Sequence, residues 1–205
     1  MSRTEQSAPL RRHLPSPTLA IVLLLVVVGC AGGFIYSGVY DIGADAPHWR
    51  IVFGLLDEFR DRAIVHHARG VTVPGDLNSP RRVAAGAALY SEMCTSCHLA
   101  PGINPTELSK DLYPAAPELA RGDDLSAAQQ FWVTKHGVKL SAMPAWGKTH
   151  NDQLIWNLVA FVRQMPGMNE QQFEAAVASA PEDHDEMMEH MSGSKGDVAS
   201  APQGH

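Results

Sequence analysis

The sequence has few cysteines, no concentration of positive charge and no segment with the two-residue period of a β-strand. Only three of its 205 residues are cysteine, so a disulfide framework does not hold the fold together. Lys and Arg number 16 against 22 Asp and Glu, and they do not cluster as a nucleic-acid-binding surface requires. The apolar periodicity that is present is helical, which predicts an all-α protein.

One long apolar run lies near the N-terminus, where residues 19–40 carry no charge. A helix of this length spans the hydrocarbon core of a bilayer, which is about 30 Å thick. Positive charges precede the run and negative charges follow it (Arg3, Arg11, Arg12; Asp41, Asp45). This bias predicts a cytoplasmic segment 1–17, a transmembrane helix 18–40, and the remainder in the periplasm of a bacterial inner membrane.

The apolar run admits two other interpretations. Residues 27–30 resemble a lipoprotein cleavage site that would leave a lipid on Cys30, but the run continues for ten residues beyond this cysteine. An uncleaved helix is therefore favoured, and no A-x-A-like site for a signal peptidase is present. Gly29, Gly33 and Ser37 have the spacing of helix–helix contacts in membranes, and a single span that tolerates small residues explains them equally well.

Residues 41–78 are predicted to be a periplasmic linker with one amphipathic helix. Between Pro47 and Arg69, apolar residues recur at helical spacing, and Gly70 ends the pattern (Trp49, Val52, Leu56, Phe59, Ala63). The helix could lie along the membrane, pack on the next domain or dock on a partner. His66 and His67, near its end, are predicted to face solvent or lipid headgroups.

Three more helices are predicted after this linker. They begin at Ser79-Pro80, at Ser126 with a capping box to Gln129, and near Thr149, and the last one ends before Pro166. Residues 99–124 are rich in Pro, Gly and Asp and lack periodicity, which suggests that they wrap around something other than themselves. His136 and His150 are predicted to lie at helix termini.

A single motif carries specific chemistry: Cys94-Thr95-Ser96-Cys97-His98 is C-x-x-C-H, the attachment signature of c-type haem. Thiols three positions apart on a helical turn can reach both vinyl groups of a porphyrin, and the next histidine is directed at the iron. A redox dithiol and half of a zinc site are the alternatives. The strands that flank a redox dithiol are absent, and so is the second cysteine pair that a structural zinc site needs.

Met143 is the predicted second axial ligand. It lies 45 residues beyond His98 in a loop that Pro144 stiffens, and a thioether ligand raises the reduction potential of a haem. Met93 is too close to Cys94 to reach the opposite face of the ring. Met165 and Met168 follow the last helix of the domain and are weaker candidates.

With these motifs in place, the segment from about Ser79 to Pro166 resembles a class I c-type cytochrome. The resemblance implies that Gly86 permits a close crossing of the first and last helices, and that the Pro117 carbonyl accepts a hydrogen bond from His98. It further implies that Gly137–Pro144 is the loop that delivers the axial methionine. The remaining residues of the pattern lie on the two crossing helices (Tyr90, Trp156, Val159, Phe161).

The prediction is an all-α, membrane-anchored, monohaem cytochrome c that carries electrons between respiratory partners and is not an enzyme. Its domain is residues 79–168, followed by a C-terminal helix and acidic tail in 169–205. One haem c is covalently attached through Cys94 and Cys97, and His98 and Met143 ligate the iron. Trp146 either contacts the haem edge or packs, and three lysines form either a docking rim or a solvated surface (Lys135, Lys139, Lys148).

Two other functions remain open from the sequence. In the first, the haem has an open axial position, Met143 only packs, and the protein is a sensor or enzyme. In the second, the tail handles copper, because thioethers and imidazoles suit Cu(I) and Cu(II) and cluster there (His184, Met187, Met188, His190, Met191, His205).

Overall fold

The computed structural model describes residues 16–180, and all regular elements in this range are helical, as predicted. The predicted copper-binding tail lies outside the described residues. Three short 3₁₀ turns cover Ala68–Gly70, Leu119–Arg121 and Trp146–Lys148. The α-helices are α1 (Pro17–Ser37), α2 (Arg50–His67), α3 (Pro80–Met93), α4 (Thr95–His98), α5 (Glu107–Asp111), α6 (Ala127–His136), α7 (Asp152–Gln164) and α8 (Glu170–Ala178).

The chain divides after Ala46 into two compact units, and α1 is the helix of the first. It begins at Pro17, where the Ser16 hydroxyl accepts the Leu19 N–H at 3.3 Å. It ends at Ser37, three residues before the predicted end, because Gly38 adopts a left-handed conformation with φ 63°. None of its residues is buried, and it is long and apolar enough to cross a membrane.

In the second unit, α3 and α7 cross at Gly86. A Cβ atom at this position would lie 2.0 Å from the carbonyl oxygen of Asn157 and 2.8 Å from Cβ of Phe161. Only glycine therefore allows this separation of the two backbones. Tyr90 and Phe161 are fully buried beside the crossing, with ring centroids 5.5 Å apart. The close crossing that the resemblance implied is present.

The last helix, α8, packs on the same core. Its Phe173 is buried, 6.4 Å from the ring of Tyr90 and 6.0 Å from that of Phe161. Asn169 caps α8 through a reciprocal pair of hydrogen bonds with Gln172. The core thus continues beyond residue 168, and the domain bounds 79–168 remain a prediction.

A second cluster joins α6 to α7 through the stacked rings of Phe131 and Trp156, 4.2 Å apart. The buried Gln130 connects three segments. Its amide nitrogen donates to the Asp123 carboxylate at 3.0 and 3.1 Å, and its oxygen accepts from the Arg163 guanidinium at 3.1 Å. These bonds hold the loop before α6 against α7.

Two predicted helix starts differ in detail from the structure. The capping box of Ser126 and Gln129 opens α6 as predicted. The cap of α7 is Asn151, whose side chain accepts the Leu154 N–H at 3.0 Å, and not Thr149. Thr149 lies at the end of the preceding 3₁₀ turn instead, where its hydroxyl donates to the Trp146 carbonyl at 3.3 Å.

The side through which α2 packs is not the apolar face identified in the sequence, for which three roles had been left open. The side that packs on the unit carries Ile64 and, just beyond the helix, Ala68, each 5% exposed. Trp49 and Phe59, which belong to the predicted apolar face, are 56% and 74% exposed. Because periodicity shows where apolar residues lie but not what covers them, the sequence could not reveal this offset.

The histidines near helix ends occupy three different settings. His67 is exposed, as predicted, and its ring also stacks on Trp132 of α6 at 5.4 Å with an angle of 8° between the planes. His136 is the last residue of α6, as predicted. His150 is buried just before the cap of α7, with Nδ1 2.8 Å from the Thr149 hydroxyl.

Candidate haem-binding site

The C-x-x-C-H motif occupies one helical turn directly after α3. The N–H groups of Cys97 and His98 both donate to the Cys94 carbonyl, at 3.2 and 2.8 Å. The chain then reverses at Leu99, whose φ of 58° lies in the left-handed region. The hydroxyl of the buried Tyr90 donates to the Leu99 carbonyl at 2.6 Å. The turn is therefore held at both ends by the body of α3.

The imidazole of His98 is oriented from a distant loop. Its Nδ1 lies 2.8 Å from the carbonyl oxygen of Pro117. A carbonyl oxygen can only accept, so Nδ1 carries the proton and a metal could bind only at Nε2. Such a hydrogen bond fixes the ring and makes the opposite nitrogen more basic. This is the bond that the resemblance implied.

The Cys94 thiol does not have the lowered pKa of the reactive thiol in a redox dithiol. Both cysteines are free, and burial together with the nearby Cys97 raises the pKa of Cys94 to about 12. Catalytic dithiols need the opposite, a thiol pKa lowered toward neutrality. Within residues 16–180, no three His, Cys, Asp or Glu side chains are grouped so that they could hold a metal ion.

Met143 lies in a loop that its own hydrogen bonds close. The Val138 N–H donates to the Met143 carbonyl at 3.2 Å, while the Ser141 hydroxyl donates to Val138 at 2.7 Å and accepts from Met143 N–H at 3.2 Å. Gly137 has φ 66°, and a Cβ there would lie 2.6 Å from the Met143 carbonyl oxygen. The loop therefore needs glycine at its entry, and its geometry fixes the methionine backbone.

The other methionines in the described part of the chain belong to the helical core. Met165 is fully buried, and Met93 and Met168 pack against the same cluster. Met143 is half-buried and does not belong to that cluster. Of the thioethers in residues 16–180, Met143 alone is thus not already used as core filler.

The loops on either side of α6 differ from the helices in what they bury. Among the described residues, neither 101–125 nor 138–149 contains a fully buried side chain, although both include large apolar residues; Leu119 rests against the helical core and stays partly exposed. Trp146 is half-buried and meets the His150 ring edge-on at 5.4 Å. The partly exposed apolar side chains of these loops are suited to contact the faces of a large planar apolar group.

Two side-chain hydroxyl groups that hold the site were not predicted from the sequence. Tyr90 was identified as a helix-crossing residue, but its hydroxyl bond to Leu99 depends on the left-handed turn after His98. Ser141 was identified only as part of the methionine loop. A serine two residues before a candidate ligand methionine is the sequence feature that would have identified Ser141.

The three lysines of the predicted rim are not equivalent. Lys135 is paired with Asp152 at 2.7 Å, and its ammonium group lies 5.5 Å from the centre of the Phe131 ring. Lys139 and Lys148 are exposed. Only the latter two are therefore available, in this part of the chain, to a partner near the methionine loop.

Comparison with protein families identifies the segment that carries these groups. Residues 81–162 match the family model described as cytochrome C oxidase, cbb3-type, subunit III. This segment is a c-type cytochrome domain. The match to the cytochrome domain runs from α3 to near the end of α7 and leaves α1, α2 and α8 outside. Comparisons with curated proteins and with solved structures gave no match.

Proposed function

We propose that this protein is a membrane-anchored monohaem cytochrome in which Cys94 and Cys97 hold the haem and His98 and Met143 ligate its iron. A haem-based role in electron transfer follows from the cytochrome domain itself. The observation that carries the residue assignment is the one-turn motif whose histidine is hydrogen-bonded through Nδ1 to Pro117. The haem would supply the one-electron couple.

The protein residues have three tasks in this proposal. The two cysteines attach the ring at a fixed place, and Pro117 keeps Nε2 of His98 directed toward the metal. The loop closed by Gly137 and Ser141 presents Met143. Two protein ligands leave no open axial position, which favours an electron carrier over an enzyme or gas sensor.

The proposed location follows from α1. A helix of 21 residues, apolar on all sides and not buried in its own unit, requires an apolar environment such as lipid. With the arginines before it and the aspartates after it, the cytochrome domain would lie on the periplasmic side. Extraction of membranes with alkaline carbonate tests the anchor, because an integral chain stays in the pellet.

The proposed partners are redox proteins of a respiratory complex. This rests on the family description, which names a subunit of a terminal oxidase. One measurement distinguishes a free electron shuttle from a permanent subunit of such a complex. Mild solubilisation followed by affinity purification recovers a stoichiometric partner only in the second case.

The axial ligand is tested by a matched pair of methionine variants, Met143→Leu and Met168→Leu. If Met143 binds the iron, its replacement abolishes the weak red absorption band of sulfur–iron ligation and allows the reduced protein to bind carbon monoxide. Met168→Leu, within the core, keeps the wild-type spectrum. Ready binding of carbon monoxide by the wild type would contradict the proposal and favour the open-site alternative.

A further inference from the structure

The N-terminal half of α2 exposes large apolar side chains on a helix whose packed side lies elsewhere. Ile51 and Phe59 are 76% and 74% exposed, and three more apolar residues between them are also exposed. The packed residues, Ile64 and Ala68, lie toward and just beyond the C-terminal end. We call the exposed set the α2 apolar surface (Ile51, Phe53, Leu55, Leu56, Phe59).

This concentration is unusual within the second unit. The other large apolar residues that are exposed after α2, in the part of the chain that the structure describes, are separated along the sequence (Val73, Ile103, Leu108, Leu140). Single exposed apolar side chains need no explanation, whereas a contiguous group marks a binding surface. Five such residues lie within nine positions, about 12 Å of helix, and four of them (Ile51, Leu55, Leu56, Phe59) fall within about 140° of its circumference, so these four form a contiguous group.

The connection to α1 determines which surface is within reach. Residues 38–49 join the end of α1 to the start of α2, and twelve extended residues span at most about 40 Å. If α1 crosses the bilayer, the α2 apolar surface is tethered within that distance of the outer leaflet. Aromatic and branched apolar residues on a helix are typical of segments that lie in the lipid interface.

Charge on α2 indicates which kind of lipid interaction to expect. Three arginines face three acidic residues between Arg50 and Arg62, so this stretch has no net charge. Arg60 is paired with Asp57 at 2.6 Å and with Asp61 at 2.7 Å, and Arg62 is paired with Glu58. Anionic headgroups would therefore gain little here, and apolar burial alone would drive the interaction.

We propose that α2 is an interfacial helix whose apolar surface is buried in the outer leaflet of the membrane that α1 spans. The proposal rests on the membrane anchor of the proposed function. Just before α2, the His48 N–H donates to the Tyr113 hydroxyl at 2.9 Å, four residues from the carbonyl that binds His98. A helix seated in lipid would thus hold the segment that positions His98 at a restricted place relative to the membrane.

The test uses the full haem-loaded chain with Cys30→Ser, placed one copy per phosphatidylcholine nanodisc so that both leaflets face solvent. Leu55→Cys is compared with Leu108→Cys, the same substitution at an exposed leucine on α5. The readout is the rate of alkylation by a water-soluble maleimide, each normalised to its rate after denaturation in SDS. Asp61→Cys on the same helix reports whether α2 as a whole is shielded.

We expect Leu55→Cys to react at least about tenfold more slowly than Leu108→Cys, as partial exclusion of an apolar side chain from water implies. The protection should not change when a third of the lipid is anionic. Equal rates at the two positions would overturn the proposal. Protection that appears only with two copies per disc would indicate self-association and overturn it too. A chain that does not stay in the disc would instead show that α1 is not an anchor.

Discussion

The helical frame and the two loops of the cytochrome domain are stabilised in different ways. In the frame, α3, α7 and α8 bury one another's side chains, with Tyr90, Phe161 and Phe173 at the centre. The loops 101–125 and 138–149 bury no side chain fully in the described structure; Leu119 and Ala120 rest against the frame only partly buried, and hydrogen bonds hold both loops. The helices of the frame are therefore stabilised by apolar contacts with one another, whereas the loops present apolar side chains that a haem would cover.

The largest effect on the difference between frame and loops is expected when the two cysteines that attach the haem are replaced. The variant Cys94→Ser/Cys97→Ser should lose all covalent haem on a stained denaturing gel, while Cys30→Ser keeps it. Hydrogen exchange should then accelerate most in the two loops, because they lose the group that they surround. If α3 and α7 lost protection as completely as the loops, the frame would depend on the haem equally and the comparison would fail.

Truncation of Phe173 tests whether α8 belongs to the frame. The variant Phe173→Ala removes a buried ring beside Tyr90 and Phe161 and should lower the free energy of unfolding by about 3–5 kcal/mol. Urea denaturation of the haem-loaded chain measures this. The exposed Phe59→Ala is the control and should change stability little in detergent. A small effect of Phe173→Ala would mean that α8 is an appendage.

The helix crossing is tested by adding one methyl group. In Gly86→Ala, the new Cβ would meet the Asn157 carbonyl, so α3 and α7 must separate, at a cost of about 3 kcal/mol. Gly54→Ala is the control, because nothing lies within 4 Å of a Cβ there and alanine favours a helix by up to about 1 kcal/mol. The two variants should therefore shift the urea midpoint in opposite directions; a shift in the same direction would argue against the close crossing.

The contact between the frame and the C-x-x-C-H motif is tested by removing the hydroxyl group of Tyr90. Tyr90→Phe leaves the Leu99 carbonyl without its donor and should cost about 1–2 kcal/mol. It should also broaden the haem absorption bands, since the turn after His98 is less restrained. Tyr36→Phe, on a fully exposed tyrosine of the first unit, should change neither property. An unchanged Tyr90→Phe would show that the turn does not depend on α3.

The smallest expected effect is on the pH dependence of the free energy of unfolding, and it comes from Asp76. The side-chain hydrogen bond from Arg82 lowers the pKa of Asp76, and the same arginine donates to Asn157 of α7 at 3.1 Å. A carboxyl group with a lowered pKa contributes stability above its unfolded pKa, near 4, and loses it as the pH falls. Asp76→Asn should therefore lower the free energy of unfolding slightly above about pH 4 and leave it unchanged in stronger acid, where the wild-type carboxyl is neutral as well. A difference between the two proteins that persists in strong acid would contradict this.

Much of the fold could be predicted because its signals are local. The capping box of Ser126 and Gln129 and the proline at the start of α3 each act within a few residues, whereas Gly38 was not identified as the end of α1. The cap of α7 was misplaced by two residues because a 3₁₀ turn competes for Thr149. Local patterns that overlap cannot be ranked without the geometry of the turn between them.

By itself, the sequence determined that this chain is helical, has one apolar run and carries a haem-attachment motif, since helical periodicity and C-x-x-C-H spacing are properties of neighbouring residues. Only the tertiary structure decided that Met165 fills the core, that the Tyr90 hydroxyl holds the turn after His98, and that α2 packs through Ile64. These outcomes depend on contacts between residues that are not neighbours along the chain. Sequence spacing does not specify the distances of such contacts.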